Sequence, residues 1–321
     1  FEFLFLIILG ALTSLSLPPY NYLIINFVTL SLFFIFIFKK KTSDNKKIFL
    51  YGWFFGFGYF LTNVYWIAIS LTFDENFKFL FPVAVTLIPA FLAIFYGVMT
   101  YIFFLVNIKK LVSNLLLFSL LFGLIEFLRG SILTGFPWNL IAYSFSNNLE
   151  IIQFTSLIGT YAFNTLCISF FTSPAIFILR KNRKEIFICI LFLLSPIILY
   201  MTGSSKIKTF QSSNLIENDY VIRVIGSKID LDRFYGITNT ASVISELIEL
   251  SKPDLETKTL FLWPEGIIPN INQLELKQFE ILFDKNFNKN HLLGIGINSA
   301  EKINNENKFY NSFSFYNHDL D

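Results

Sequence analysis

Leu260-Phe261-Leu262-Trp263-Pro264-Glu265 is an apolar run that ends abruptly in a carboxylate. Such a run reads as a fully buried strand. Pro264 has no N–H to give to a sheet ladder, so the strand is expected to stop there. Glu265 then stands at the carboxyl end of a core strand, where open α/β sheets build ligand sites. A carboxylate buried at that point is poised by desolvation to act as a general base. On spacing alone the simpler reading is a Glu just past a strand end, pointing into water. The surroundings of the stretch decide between the two.

Working outward, the chain has 321 residues, is 54% hydrophobic and contains 42 Phe. Its mean hydropathy is +0.58, a value of polytopic membrane proteins rather than soluble domains. The composition changes near Met201. Up to Gly203 there are 13 Lys and Arg against 7 Asp and Glu, and from Ser204 onward 12 against 16. The net charge of +2 therefore conceals an apolar body with basic punctuation and a mildly acidic second region. The basic residues sit at the ends of apolar segments and form no basic face, which argues against a nucleic-acid partner. Cys167 and Cys189 both lie in apolar runs and read as inert packing residues, neither a disulfide framework nor a metal motif. The chain opens on Phe1 rather than Met and stops at Asp321 in a polar stretch, so a fragment is expected.

Seven apolar segments precede the change: roughly Phe3–Leu17, Tyr20–Phe38, Ile48–Leu71, Phe79–Val106, Leu111–Leu133, Leu149–Leu179 and Ile186–Tyr200. Most have the ~20 residues a bilayer crossing needs, and the first and last are short. Alternate connections carry 11 basic residues: Lys39, Lys40, Lys41, Lys46, Lys47, Lys109, Lys110, Arg180, Lys181, Arg183 and Lys184. The opposite connections carry Lys78 and Arg129. The positive-inside rule puts the larger set in the cytoplasm, and everything after Tyr200 outside. Glu126 and Arg129, three apart at the end of the fifth segment, share a helix face and can pair. Charges at membrane depth face a partner or a cavity. The Leu133-Thr134-Gly135-Phe136-Pro137-Trp138-Asn139 stretch that follows breaks the helix. It reads either as an interfacial loop beside a structural ion pair or as a re-entrant loop shaping a lipid-facing pocket. Gly52, Gly56 and Gly58 read as permitting close helix packing.

Three regions follow: a membrane domain over 1–201, a polar linker over 202–218, and a domain over 219–321. In the last, strands are expected at 220–225, 259–263, 292–297 and 309–316, and helices at 238–250 and 274–287. This alternation argues for an α/β layer.

Several of these residues together resemble the apolipoprotein N-acyltransferase family. Glu126-Phe127-Leu128-Arg129-Gly130 with Leu133 to Trp138 and Tyr143-Ser144 resembles a motif highly specific to that family. Gly52 to Gly58 with Asn63, Tyr65 and Trp66 resembles its third membrane segment. Trp263-Pro264-Glu265 with Ile268-Pro269 and Tyr310-Asn311-Ser312 resembles its nitrilase-type domain. Gly226-Ser227-Lys228-Ile229 departs from the family, which often has Gln and Asn there.

The resemblance implies an α-helical polytopic membrane domain of about seven transmembrane helices, followed by the N-terminal part of a nitrilase-like α-β-β-α sandwich. It implies an enzyme of the bacterial inner membrane with its catalytic domain in the periplasm. The donor would be a phospholipid and the acceptor a diacylglyceryl-apolipoprotein, with no cofactor and no metal. A Glu–Lys–Cys set would carry the acyl chain through a thioester. Glu265 matches the general base. The Lys and Cys are expected beyond Asp321, so the chain as given is expected to be inactive. Trp263, Tyr235, Trp138, Glu126 and Arg129 are the substrate-binding candidates, Tyr235 by a looser match to an aromatic position. The alternatives are a membrane-anchored amidase of the nitrilase type and a polytopic protein without chemistry.

Overall fold

The computed structural model describes residues 1–321 except 41, 107, 109, 214–219, 227–238 and 304–305. It divides into two compact units, Phe1–Ser213 and Asn214–Asp321.

The first unit is helical. Its helices are α1 (Glu2–Ser14), α2 (Ile24–Lys39), α3 (Asn45–Val64), α4 (Phe81–Val106) and α5 (Leu111–Ser131). After these come the short α6 (Leu149–Ile152) and α7 (Thr155–Ile158), then α8 (Thr160–Thr172), α9 (Pro174–Leu179) and α10 (Arg183–Ser212). Among the described residues, five helical stretches are long and apolar enough to cross a membrane: Asn45–Thr72, Lys78–Val106, Leu111–Ser131, Thr160–Leu179 and Arg183–Ser212. The two segments before them form helices of 13 and 16 residues.

Local chemistry sets the ends. Asp44 caps α3 by accepting from the Lys46 and Lys47 amides. Asn182 and Glu185 form a reciprocal capping box at the start of α10. Close packing is set by small residues. A Cβ at Gly52 would lie 2.1 Å from the Tyr96 carbonyl oxygen, and one at Gly58 would lie 2.0 Å from that of Ile7. The expected glycine packing is therefore real, and it serves α4 on one side of α3 and α1 on the other.

Two expectations change. The sixth apolar segment is not one helix from 149 to 179. Gly159 has φ +78°, which an α-helix cannot pass through, and the apolar stretch resumes at Thr160. The polar stretch expected as a linker from 202 is helical to Ser212. Helix propagation needs main-chain bonds and not apolar side chains, and the Thr202 and Thr209 hydroxyls are satisfied within the helix by donating to the carbonyls of Ile198 and Ser205 at 3.0 Å each. A Cβ at Gly203 would meet the Glu150 carbonyl oxygen at 1.7 Å, so this part of α10 packs tightly on α6.

The second unit is a four-stranded sheet in the order β1 (Val221–Val224), β2 (Thr259–Trp263), β3 (His291–Ile303) and β4 (Glu306–Tyr316). β1, β2 and β3 are parallel, and β4 returns antiparallel along β3. The crossovers hold α11 (Thr240–Ser251), then α12 (Gln273–Leu276) and α13 (Glu280–Asn286). Val243, Ile244 and Leu247 of α11 pack with Phe261 and Trp263 of β2 and Leu293, Ile295 and Ile297 of β3. The other sheet face carries Ile222, Val224, Leu292, Phe313 and Phe315, all exposed. Parallel strands form here because each crossover is long enough to hold a helix.

Candidate functional site

Glu265 stands where the sequence places it, at the carboxyl end of β2, immediately after Trp263 and Pro264. Its side chain is exposed, as in the simpler of the two readings, and is not the buried carboxylate of the other. The strand ends at a proline, and Gly266 at φ +64° turns the chain away at once, which leaves the carboxylate outside the core. Ile267 and Ile268 then return to the core and pin the turn.

Two residues on neighbouring strands hold Glu265. A Cβ at Gly296 of β3 would lie 2.5 Å from the Glu265 Cα and 2.8 Å from its nitrogen, so this position must stay bare. The Asn311 side-chain amide of β4 donates to Glu265 Oε1. One carboxylate oxygen is thereby oriented while the side chain stays exposed, an arrangement able to accept a proton from an approaching thiol or amine. Sequence reading singled out Tyr310-Asn311-Ser312 without giving Asn311 this contact, and it missed Gly296. The signal for Gly296 was two glycines, Gly294 and Gly296, alternating inside a strand pattern.

Trp263, expected near substrate, is fully buried. Its indole N–H donates to Ser251 Oγ at 2.9 Å, and its ring lies 5.7 Å from that of Phe283. Side-chain alternation turns it toward the helices, so it belongs to the core and presents no surface to a ligand. Tyr235 lies outside the described residues.

In the first unit, Glu126 and Arg129 do pair, with Arg129 Nη2 donating to Glu126 Oε2 at 2.6 Å and both side chains at 0% exposure. The Tyr96 hydroxyl donates to the other oxygen, Oε1, at 2.5 Å. Arg129 Nη1 reaches beyond the helix to the carbonyls of Phe136 at 2.7 Å and Trp138 at 2.9 Å. Glu126 and Arg129, expected to bind substrate, have both side chains buried and offer no exposed surface. They fix the loop that carries Trp138. Trp138 is exposed and stacks on Trp66, with centroids 5.2 Å apart and planes 17° apart. With Ile67, Ser70, Phe73 and Phe136 they line an open apolar groove of about 670 Å3. Tyr96 and Trp66 carried no expected role. The available signal for Tyr96 was a hydroxyl-bearing ring, one of two with Tyr101, in the mainly apolar α4.

Cys167 and Cys189 are both buried, and the Cys189 thiol donates to the Ser173 carbonyl at 3.3 Å. No group of three or more His, Cys, Asp or Glu among the described residues could hold a metal ion.

A bundle of membrane-length helices, joined to a unit whose central parallel strand ends in an oriented carboxylate, defines a polytopic membrane protein with an α/β unit. Residues 9–172 match the model of the apolipoprotein N-acyltransferase N-terminal domain. The chain belongs to the apolipoprotein N-acyltransferase family. It is 28% identical over 273 residues to an apolipoprotein N-acyltransferase of Rhodopseudomonas palustris, covering 81% of this chain and 50% of that protein. A Rhizobium leguminosarum relative of the same name is 27% identical, covering 94% of this chain and 59% of its own length. One from Brucella melitensis is 34% identical, covering 52% and 33%. The chain thus spans about half the length of the curated relatives it matches, and less in some cases.

Proposed function

We propose that the protein to which this chain belongs transfers a fatty acyl group from a phospholipid to the α-amino group of an S-diacylglyceryl-cysteine on a lipoprotein. The observation that carries this reading is Glu265, held by Asn311 and by the bare Gly296 at the end of β2, in a chain of this family.

Glu265 acts as the general base. It takes the proton of a cysteine thiol, whose sulfur attacks the phospholipid ester carbonyl. The C–S bond forms, the C–O bond breaks, and the lysophospholipid leaves with a proton. The lipoprotein amine then attacks the thioester. The C–N bond forms, the C–S bond breaks, and Glu265 assists removal of the amine proton. A lysine stabilises the oxyanion of each tetrahedral intermediate. This reading assigns that lysine and that cysteine to no residue of this chain. Cys167 and Cys189, buried among membrane helices, serve neither role.

The same reading has seven crossings, α1 and α2 included, in a bacterial inner membrane, with the α/β unit in the periplasm. It is supported by the basic connections at alternate ends and by the sheet itself. Ile222, Val224, Phe313 and Phe315 leave one sheet face apolar and uncovered, which a second layer of an α-β-β-α sandwich would bury.

The test is Glu265→Gln in the full-length protein, assayed with phospholipid and a diacylglyceryl lipopeptide. Transfer is expected to fall by about 10²–10⁴-fold while membrane insertion is kept. Transfer at the wild-type rate would overturn the role of Glu265. Release of ammonia from small amides, with no transfer from phospholipid, would favour an anchored amidase instead.

A further inference from the structure

We propose that Arg129 is a positioning residue for this reaction: its guanidinium fixes the 132–139 loop as a partition between two apolar grooves, and so sets how the enzyme accepts acyl chains. The proposal rests on the acyltransferase reading.

The partition is visible in the groove walls. One groove lies between the loop and the 3-10 segment Tyr65–Thr72, with Trp66 and Phe73 opposite Phe136 and Trp138. The second, about 690 Å3, lies between the loop and α4, with Leu87 and Phe91 opposite Leu133 and Phe136. Gly135 and Phe136 line both. Where this loop sits therefore sets the width of each groove.

The loop does not hold that shape by itself. Leu133, Thr134 and Asn139 have φ of 53°, 72° and 58°, a left-handed conformation unfavourable for residues with a Cβ. Such backbone persists where its surroundings over-determine it. Here they do so through main-chain groups. Arg129 Nη1 donates to the carbonyls of Phe136 and Trp138. The Phe136 amide donates back to the Arg129 carbonyl at 2.8 Å. The Tyr59 hydroxyl donates to the Asn139 carbonyl at 2.7 Å. The guanidinium is aimed by Glu126, which Tyr96 holds in turn. A planar fork can satisfy Glu126 on one nitrogen and both carbonyls on another. A lysine ammonium, a point charge on a flexible stem, cannot reproduce that geometry.

The experiment uses Arg129→Lys and Gly135→Ala in the full-length protein in lipid nanodiscs. Arg129→Lys keeps the charge opposite Glu126. Gly135→Ala keeps the pair itself and disturbs the loop where it packs on the end of α5, because a Cβ there would lie 2.5 Å from the Gly130 carbonyl oxygen at φ +82°. It decides the matter where Arg129→Lys does not fold. Both variants are expected to keep the helical melting transition and to lose the circular-dichroism couplet of the stacked Trp66–Trp138 pair. The KM for phospholipid is expected to rise about tenfold with kcat within about twofold, and discrimination among acyl-chain lengths to flatten. A retained couplet, or a fall in kcat at unchanged KM, would overturn the proposal. If the wild-type protein transfers no acyl group, the acyltransferase reading fails by itself. Quenching of tryptophan fluorescence by phosphatidylethanolamine brominated on its chains then decides the partition: weaker quenching in both variants supports it, and unchanged quenching sinks it.

Discussion

Arg129 and Glu126 illustrate how much a single pair depends on its depth. At a water-exposed helix end, an ion pair three residues apart contributes a few tenths of a kcal/mol. Here both side chains are buried, and removing one partner leaves the other charged in a low-dielectric interior. Arg129→Ala is therefore expected to cost about 3–5 kcal/mol, against almost nothing for Lys78→Ala in the exposed Glu75–Lys78 pair. Melting of the detergent-solubilised protein, read beside membrane expression, checks the contrast. Gly296 makes a second argument at this scale. Alanine suits a strand, yet its Cβ would collide with the Glu265 backbone. Gly296→Ala is expected to push Glu265 off Asn311 and cut transfer by about 10²-fold, while the sheet loses only the ~1–3 kcal/mol of an overpacked site. Unchanged transfer with a retained fold would show that Gly296 does not position the carboxylate.

Among the elements, β2 is placed by chemistry on both sides of it. Before it, Asp254 closes a turn, accepting from the Thr257 hydroxyl at 2.7 Å and from the Glu256 amide at 3.2 Å. The bond from Thr257, followed by that from the Glu256 amide, holds the Asp254 carboxyl below the usual carboxylate range. A depressed carboxyl stabilises the fold above its unfolded value, and that contribution is lost as pH falls toward the folded value. Asp254→Asn is therefore expected to flatten the acid limb of the second unit's stability, measured by denaturant unfolding between about pH 5 and pH 2. An unchanged acid limb would show that the turn does not depend on this charge. After β2, the strand was legible in the sequence because apolar runs, proline and glycine are local signals. Whether Glu265 is exposed or buried stayed open there between two readings, since it depends on which way the Gly266 turn leaves the sheet. α10 is the counterpart: composition ended it at Tyr200, whereas its hydrogen bonds and the seat of Gly203 on Glu150 carry it to Ser212.

For the whole molecule, charge makes the sharpest prediction. If the lysine-rich connections face the cytoplasm, Ser43→Cys in intact cells is expected to resist a membrane-impermeant maleimide, and Asn76→Cys to react with it. The reverse pattern would invert the proposed topology. The five membrane-length stretches and the sheet were readable as two regions because the composition changes sharply between them. The interruption at Gly159 was not, because an apolar run bears no mark of where its backbone turns.

The amino-acid sequence by itself determined the class of protein. Apolar length, basic punctuation and strand–helix alternation are properties of neighbouring residues, and the motifs around Glu126, Trp138 and Glu265 carry the family resemblance. Only the tertiary structure decided that Trp263 is core, that Arg129 holds a loop, that Asn311 grips Glu265 and that Gly296 must be bare. Each of those depends on residues that packing brings together from distant parts of a unit, or on the direction in which a side chain leaves its strand, and no pattern of nearest neighbours encodes such a meeting.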